Sequence, residues 1–101
     1  MGFGGHPGVV ILPAVVAAAE QEGASGIETV EAIVRAGEGM HRIDLACGRR
    51  AYPRGFHVTG TIGAFAAAMG AGSLLDLDEL QLTHALGIAG TQAAGLKASF
   101  G

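Results

Sequence analysis

The sequence predicts an all-α fold, and three observations predict it. Apolar residues recur at helical spacing in every periodic segment, and no run alternates with the period of two that a half-buried strand requires. Two capping boxes, Ser25-Gly26-Ile27-Glu28 and Asp78-Glu79-Leu80-Gln81, mark helix starts, each with a side chain that accepts from the N3 amide and an N3 residue that reaches back. Alanine and glycine together occupy 37 of 101 positions, so the backbones can approach closely while each residue buries little surface.

In chain order, the opening M-G-F-G-G-H-P-G reads as a loop. A helix over 9–22 follows, with Pro13 expected in its first turn, where a missing N–H costs nothing, and Gly23 just past its end. A second helix runs on from Ser25, with Ile27, Val30, Ile33, Val34, Gly37, Met40 and Leu45 as its apolar line. Glu31–Arg35 and Glu38–Arg42 are spaced for i,i+4 pairs on its other side. Residues 48–60 break the pattern, because Pro53 disfavours helical geometry at Tyr52 and Gly55 permits a turn. A third helix is predicted over about 61–75, with Ile62, Phe65, Ala66, Met69 and Leu74 inward. The last helix starts at the Asp78 box, with Leu77 and Leu82 placed as a hydrophobic staple. Its buried line continues towards Leu96, with Gly90 as a break point and Gly87, Gly90 and Gly95 as sites of close packing.

Composition narrows the function classes. Six basic residues against nine acidic ones give a net charge of -3, which argues against a nucleic-acid surface. Arg35, Arg42, Arg49, Arg50 and Arg54 nevertheless bunch, which suits a small anion. One cysteine, Cys47, cannot form an internal disulfide or a zinc site by itself, and it is expected to be buried and inert. The apolar run at 9–19 is too short to cross a bilayer, and no basic leader follows Met1, so a cytoplasmic protein with no membrane partner is expected.

Two histidines carry the candidate chemistry. His6 stands in a glycine-rich loop directly before the first helix, and His57 stands in R-G-F-H-V-T-G-T directly before the third. Helix N-termini present aligned amides that favour anions, and histidine is the side chain whose charge changes near neutral pH. Thr59, Thr61 and Arg54 would complete a carboxylate pocket around His57. The residues leave a second reading open, in which a threonine caps the helix and His57 packs over Tyr52. His41 and His84 fall mid-helix and read as boundary residues. His41, Asp44 and Cys47 recur at i, i+3, i+6, but their directions drift and no second ligand pair accompanies them, so no metal site is assigned. Lys97, the sole lysine, is a weak candidate for any role.

Three blocks then point to a family. H-P-G-V-V-I-L-P-A-V-V-A-A-A-E at 6–20, G-F-H-V-T-G-T-I-G-A-F-A-A-A at 55–68 and L-D-L-D-E-L-Q-L-T-H-A-L-G-I-A-G-T-Q-A-A-G-L-K-A-S-F-G at 75–101 resemble, in order and separation, the MmgE/PrpD family. That family holds 2-methylcitrate dehydratases, cis-aconitate decarboxylases and related lyases. The resemblance implies that 1–101 is one partial domain of about four to five helices, cut from the family's large helical domain. It implies a small polycarboxylate substrate, no cofactor, no metal and a homodimer. His6 and His57 correspond to active-site histidines and are expected to be catalytic, and Thr59 matches a threonine that shapes the pocket. Thr59, with Arg54 as read from the residues alone, is expected to bind substrate. Val58 stands where relatives usually carry proline. An acidic segment before His6 and a lysine beyond Gly101 would complete the site, and the lysine's role does not transfer to Lys97. An isolated chain of this extent is therefore expected to be inactive; the alternative is a small helical interaction or assembly module without catalytic activity.

Overall fold

The computed structural model describes residues 5–47 and 49–100, so residues 1–4, which form half of the expected opening loop, and Gly48 and Gly101 lie outside the described residues. The fold is all-α. Four helices, α1 (Pro7–Glu22), α2 (Gly26–Ala46), α3 (Val58–Leu74) and α4 (Glu79–Gly90), are followed by a single 3-10 turn at Lys97–Phe100. Phe56 and Leu96 form an isolated antiparallel bridge.

Glycine positions reveal how the helices run. A Cβ built on Gly63 of α3 would meet Val10 of α1 at 3.0 Å, and one on Gly70 would meet Val15 at 2.6 Å. Both helices therefore climb in the same direction, side by side. Helix α2 descends against α3, since Gly39 faces Met69 and the Arg35 guanidinium donates to Ser73 Oγ at 2.8 Å. Helix α4 also runs antiparallel to α3, with Leu82 at Gly72 and Gly90 at Phe65. Helix α3 is thus central, which explains why Val58, Ile62, Gly63, Ala66, Gly70 and Gly72 are all buried around its circumference. The core joins Ile11 and Val15 to Ala32, Ala36, Met40, Val58, Ile62 and Ala66.

Both capping boxes form as expected. Ser25 Oγ accepts from the Glu28 amide while the Glu28 carboxylate accepts from the Ser25 N–H at 2.7 Å, and Asp78 and Gln81 do the same at the start of α4. Leu77 and Leu82 converge on Gly72, so the staple packs α4 against α3. Gly23 takes the left-handed φ of 63° that closes α1, and the Ala24 N–H reaches back to Ala19 C=O.

The expected inward face of α2 holds only in part: Met40 is buried and Ile33 packs against the core. Ile27, Val30, Val34 and Leu45 are exposed, and the buried line is Ala32, Ala36, Met40 and Asp44. The reason is distance: a Cβ on Gly70 would lie 3.3 Å from the Ala36 Cβ, a separation that admits a methyl group but no branched side chain. Where α2 crosses Gly70, size as well as hydrophobicity selects the buried residue, while Met40 fills the space farther along.

Boundaries move for similar reasons. Pro7, not Pro13, occupies the first turn of α1, and Pro13 lies in the helix interior. Its missing N–H leaves the Val9 carbonyl without an intrahelical donor, but both residues are exposed, so water can serve that carbonyl. Helix α3 starts at Val58 instead of Thr61, placing both threonines inside its first turn. Helix α4 does stop at Gly90, the expected break, because the following residues turn and send the chain back to lie against Gly60. Cys47, expected to be buried, is exposed at the C-cap of α2.

Candidate active site

The parallel arrangement of α1 and α3 brings their amino ends together. His6 is the N-cap of α1 and His57 the N-cap of α3, and neither uses its side chain to cap its helix. The His6 N–H donates to Thr59 Oγ1 at 2.9 Å, across 53 residues of sequence. Two helix N-termini therefore lie side by side, each with partial positive charge and each headed by a histidine. His6 is exposed, and His57 is half-buried.

Thr59 is buried, and its oxygen, while accepting from His6, retains its own proton to donate. Thr61 instead bonds back into its own helix, donating to the His57 carbonyl at 3.0 Å. Arg54 is exposed in the turn at 51–55, with its N–H donating to Ala51 C=O; among the described residues no hydrogen bond or ion pair joins its side chain to His6 or Thr59. The structure thus joins His6, Thr59 and His57 in one place and sets Arg54 on the adjoining turn.

The segment after α4 completes this end of the bundle. The His57 N–H donates to Gly95 C=O at 2.8 Å, the Lys97 N–H donates to Gly55 C=O at 2.9 Å, and the Lys97 ammonium sits 4.0 Å from the centre of the Tyr52 ring. A Cβ on Gly95 would stand 2.9 Å from Gly60 Cα, so this approach is open only to glycine.

Near this end lies a buried charge that sequence reasoning weighed only as a metal ligand. Asp44 is 2% exposed on the last turn of α2, its carboxylate lies 3.8 Å from Arg49 Nε, and its Oδ2 makes no hydrogen bond among the described residues. The signal that would have found it is its place on the alanine line, four residues after Met40. His41 is half-buried in α2, and Cys47 points to solvent, so the i, i+3, i+6 series splits between environments. No three His, Cys, Asp or Glu side chains among the described residues are grouped to hold a metal ion. No helix among them is long and apolar enough to cross a membrane.

A cleft of about 490 Å³ lies at the opposite end of the bundle, lined by Glu22, Glu28, Glu31 and Asp76 with Arg35 and Ser73. Four carboxylates against one guanidinium make its walls predominantly acidic.

The sequence is 39% identical over 97 residues to cis-aconitate decarboxylase of Aspergillus terreus, which covers 90% of this chain and 20% of that protein. It is 35% identical over 108 residues to the cis-aconitate decarboxylase-like protein oryM of Aspergillus oryzae, covering 93% of this chain and 21% of the relative. The chain thus spans about a fifth of the length of these curated relatives. No solved structure matches it significantly. The profile of the MmgE/PrpD N-terminal domain matches residues 3–101, the two histidine-headed helices included, and the chain belongs to the MmgE/PrpD family.

Proposed function

We propose that the paired amino ends of α1 and α3 form one wall of a lyase site for small polycarboxylates, with decarboxylation of cis-aconitate as the favoured reaction and dehydration of a 2-methylcitrate-like acid as the related alternative. The observation that carries this reading is the 2.9 Å bond from the His6 N–H to Thr59, which holds two histidine-capped helix ends side by side. A tricarboxylate offers several anionic groups, and two adjacent helix ends offer several unpaired amides to receive them. In this reading Arg54 meets a further carboxylate, and the Thr59 hydroxyl donates to one.

In decarboxylation the C–C bond to one carboxylate breaks, CO₂ leaves, and the electron pair passes into the neighbouring unsaturated acid. Developing charge is stabilised by the helix amides, and a protonated histidine delivers the proton that carbon takes up. In dehydration one imidazole removes a proton beside a carboxylate while the other protonates the departing hydroxyl. His6 and His57 are the groups assigned these transfers. His6 is open to solvent, so residues 1–101 alone are expected to bind substrate without turning it over, and in the complete protein, which this reading makes a homodimer, further chain encloses the site.

The test is a titration of the 101-residue chain with tricarballylate, an unreactive tricarboxylate, monitored at the histidine imidazoles by NMR. The expected result is saturable shifts at His6 and His57, with His41 and His84 unmoved, and no CO₂ released when cis-aconitate replaces the probe. Binding is expected to weaken about 10-fold or more in His57→Ala, as when a charge-assisted hydrogen bond is lost. Absence of any response at both His6 and His57 would rule out the polycarboxylate site, and CO₂ release would rule out the inactivity of the isolated chain.

A further inference from the structure

The segment at 95–97 is pinned to the His57 turn by contacts of different kinds. The His57 and Lys97 amides donate to the Gly95 and Gly55 carbonyls, and Phe56 pairs with Leu96. Gly95 and Gly60 touch backbone to backbone, and the Gly95 N–H donates to Gly60 C=O at 3.4 Å. A lysine side chain carries large conformational freedom, yet here its ammonium is held 4.0 Å from the Tyr52 ring centre, on the turn that leads into His57. Residues 51–57 carry Tyr52, Arg54 and His57 together, so whatever fixes Tyr52 limits the movement of the other two.

We propose that Lys97 is a positioning residue for His57: its ammonium clamps Tyr52 while its backbone closes the strap, so the 51–57 turn is held at one height against the amino end of α3. The role assigned to Lys97 is mechanical, and no proton transfer is assigned to it. The proposal rests on the reading of His57 as a substrate-facing residue, and its coupling test is independent of that reading.

The experiment measures hydrogen exchange at the His57 amide in the 101-residue chain, together with tricarballylate-induced shifts at the His57 imidazole. Lys97→Met is expected to speed His57 amide exchange about two- to five-fold, the range of a partly exposed cation–π contact, while Ala36 and Met40 amides keep their rates. Tyr52→Leu should have the same effect, the Lys97→Met/Tyr52→Leu double variant should be no faster than either single variant, and Lys97→Arg should restore protection. The probe response should weaken at His57 in Lys97→Met and persist at His6. Additive effects in the double variant, an unchanged His57 rate, or an equal acceleration at Ala36 and Met40 would each overturn the clamp. If tricarballylate moves no histidine in the unsubstituted chain, the polycarboxylate reading fails, while the exchange cycle still decides whether Lys97 and Tyr52 act as a pair.

Discussion

Met40 and Gly70 show how much single residues decide in this protein. Met40 is fully buried among alanines and short aliphatic side chains, so Met40→Ala removes a large share of what the core has to bury. A loss of about 2–5 kcal/mol is expected, read as a fall in the urea midpoint. Gly70 fails in the opposite direction. A methyl group there would press on Val15 at 2.6 Å and Ala36 at 3.3 Å, so Gly70→Ala is expected to cost about 1–3 kcal/mol despite alanine's better helix propensity. His6 and His57 were legible as candidates because each directly precedes a helix, and Arg54 because it is a cation three residues before His57. The bond from the His6 amide to Thr59 was not, because 53 residues separate the partners and neither's local pattern announces the other.

At the scale of the element, the caps are the best-specified features. The Ser25 amide donates to the Glu28 carboxylate, and this bond, with the Ser25 side chain adding to it, holds the carboxyl below its ordinary value of 4.5. A carboxyl lowered in the folded state adds stability above its unfolded value, and that contribution is lost as pH falls through the folded one. Thermal stability of the unsubstituted chain should therefore decline as pH drops below 4.5 more steeply than that of Glu28→Gln, which retains a box-forming side chain without the charge. Parallel melting curves across that range would show that the box carries no linkage. Helix existence and the two box-defined starts could be read from local pattern. The start of α3 could not, since the His57 N–H is taken by Gly95 C=O, 38 positions along, and the local pattern pointed to about Thr61.

Across the whole molecule, the accessible surface is 6042 Å², whereas a compact monomer of this mass exposes about 5,300 Å². Part of the excess is apolar: Val9, Leu12 and Val16 line one side of α1, and Ile27, Val30 and Val34 line α2 at helical spacing, 73%, 59% and 63% exposed. Paired substitution Val30→Lys with Val34→Glu should shift stability by no more than about 0.5 kcal/mol per site, as at surface positions generally, while reducing concentration-dependent association in sedimentation. A large loss of stability without a change in association would mean that the face is already covered within the chain. The opposing acidic cleft and histidine end also give the molecule a polarity that no net charge of -3 conveys.

What the amino-acid sequence determined by itself was the helical class, the caps, the family and the histidines that head two helices, because each is written in residues close together along the chain. Which face of α2 is buried, where α3 begins, and that His6, Thr59, His57 and Lys97 share one end of the bundle were decided only in three dimensions. Hydrophobic periodicity assumes that the largest apolar side chains turn inward, but where α2 meets Gly70 the short approach distance turns Ala32 and Ala36 inward and leaves Val30 and Val34 outside.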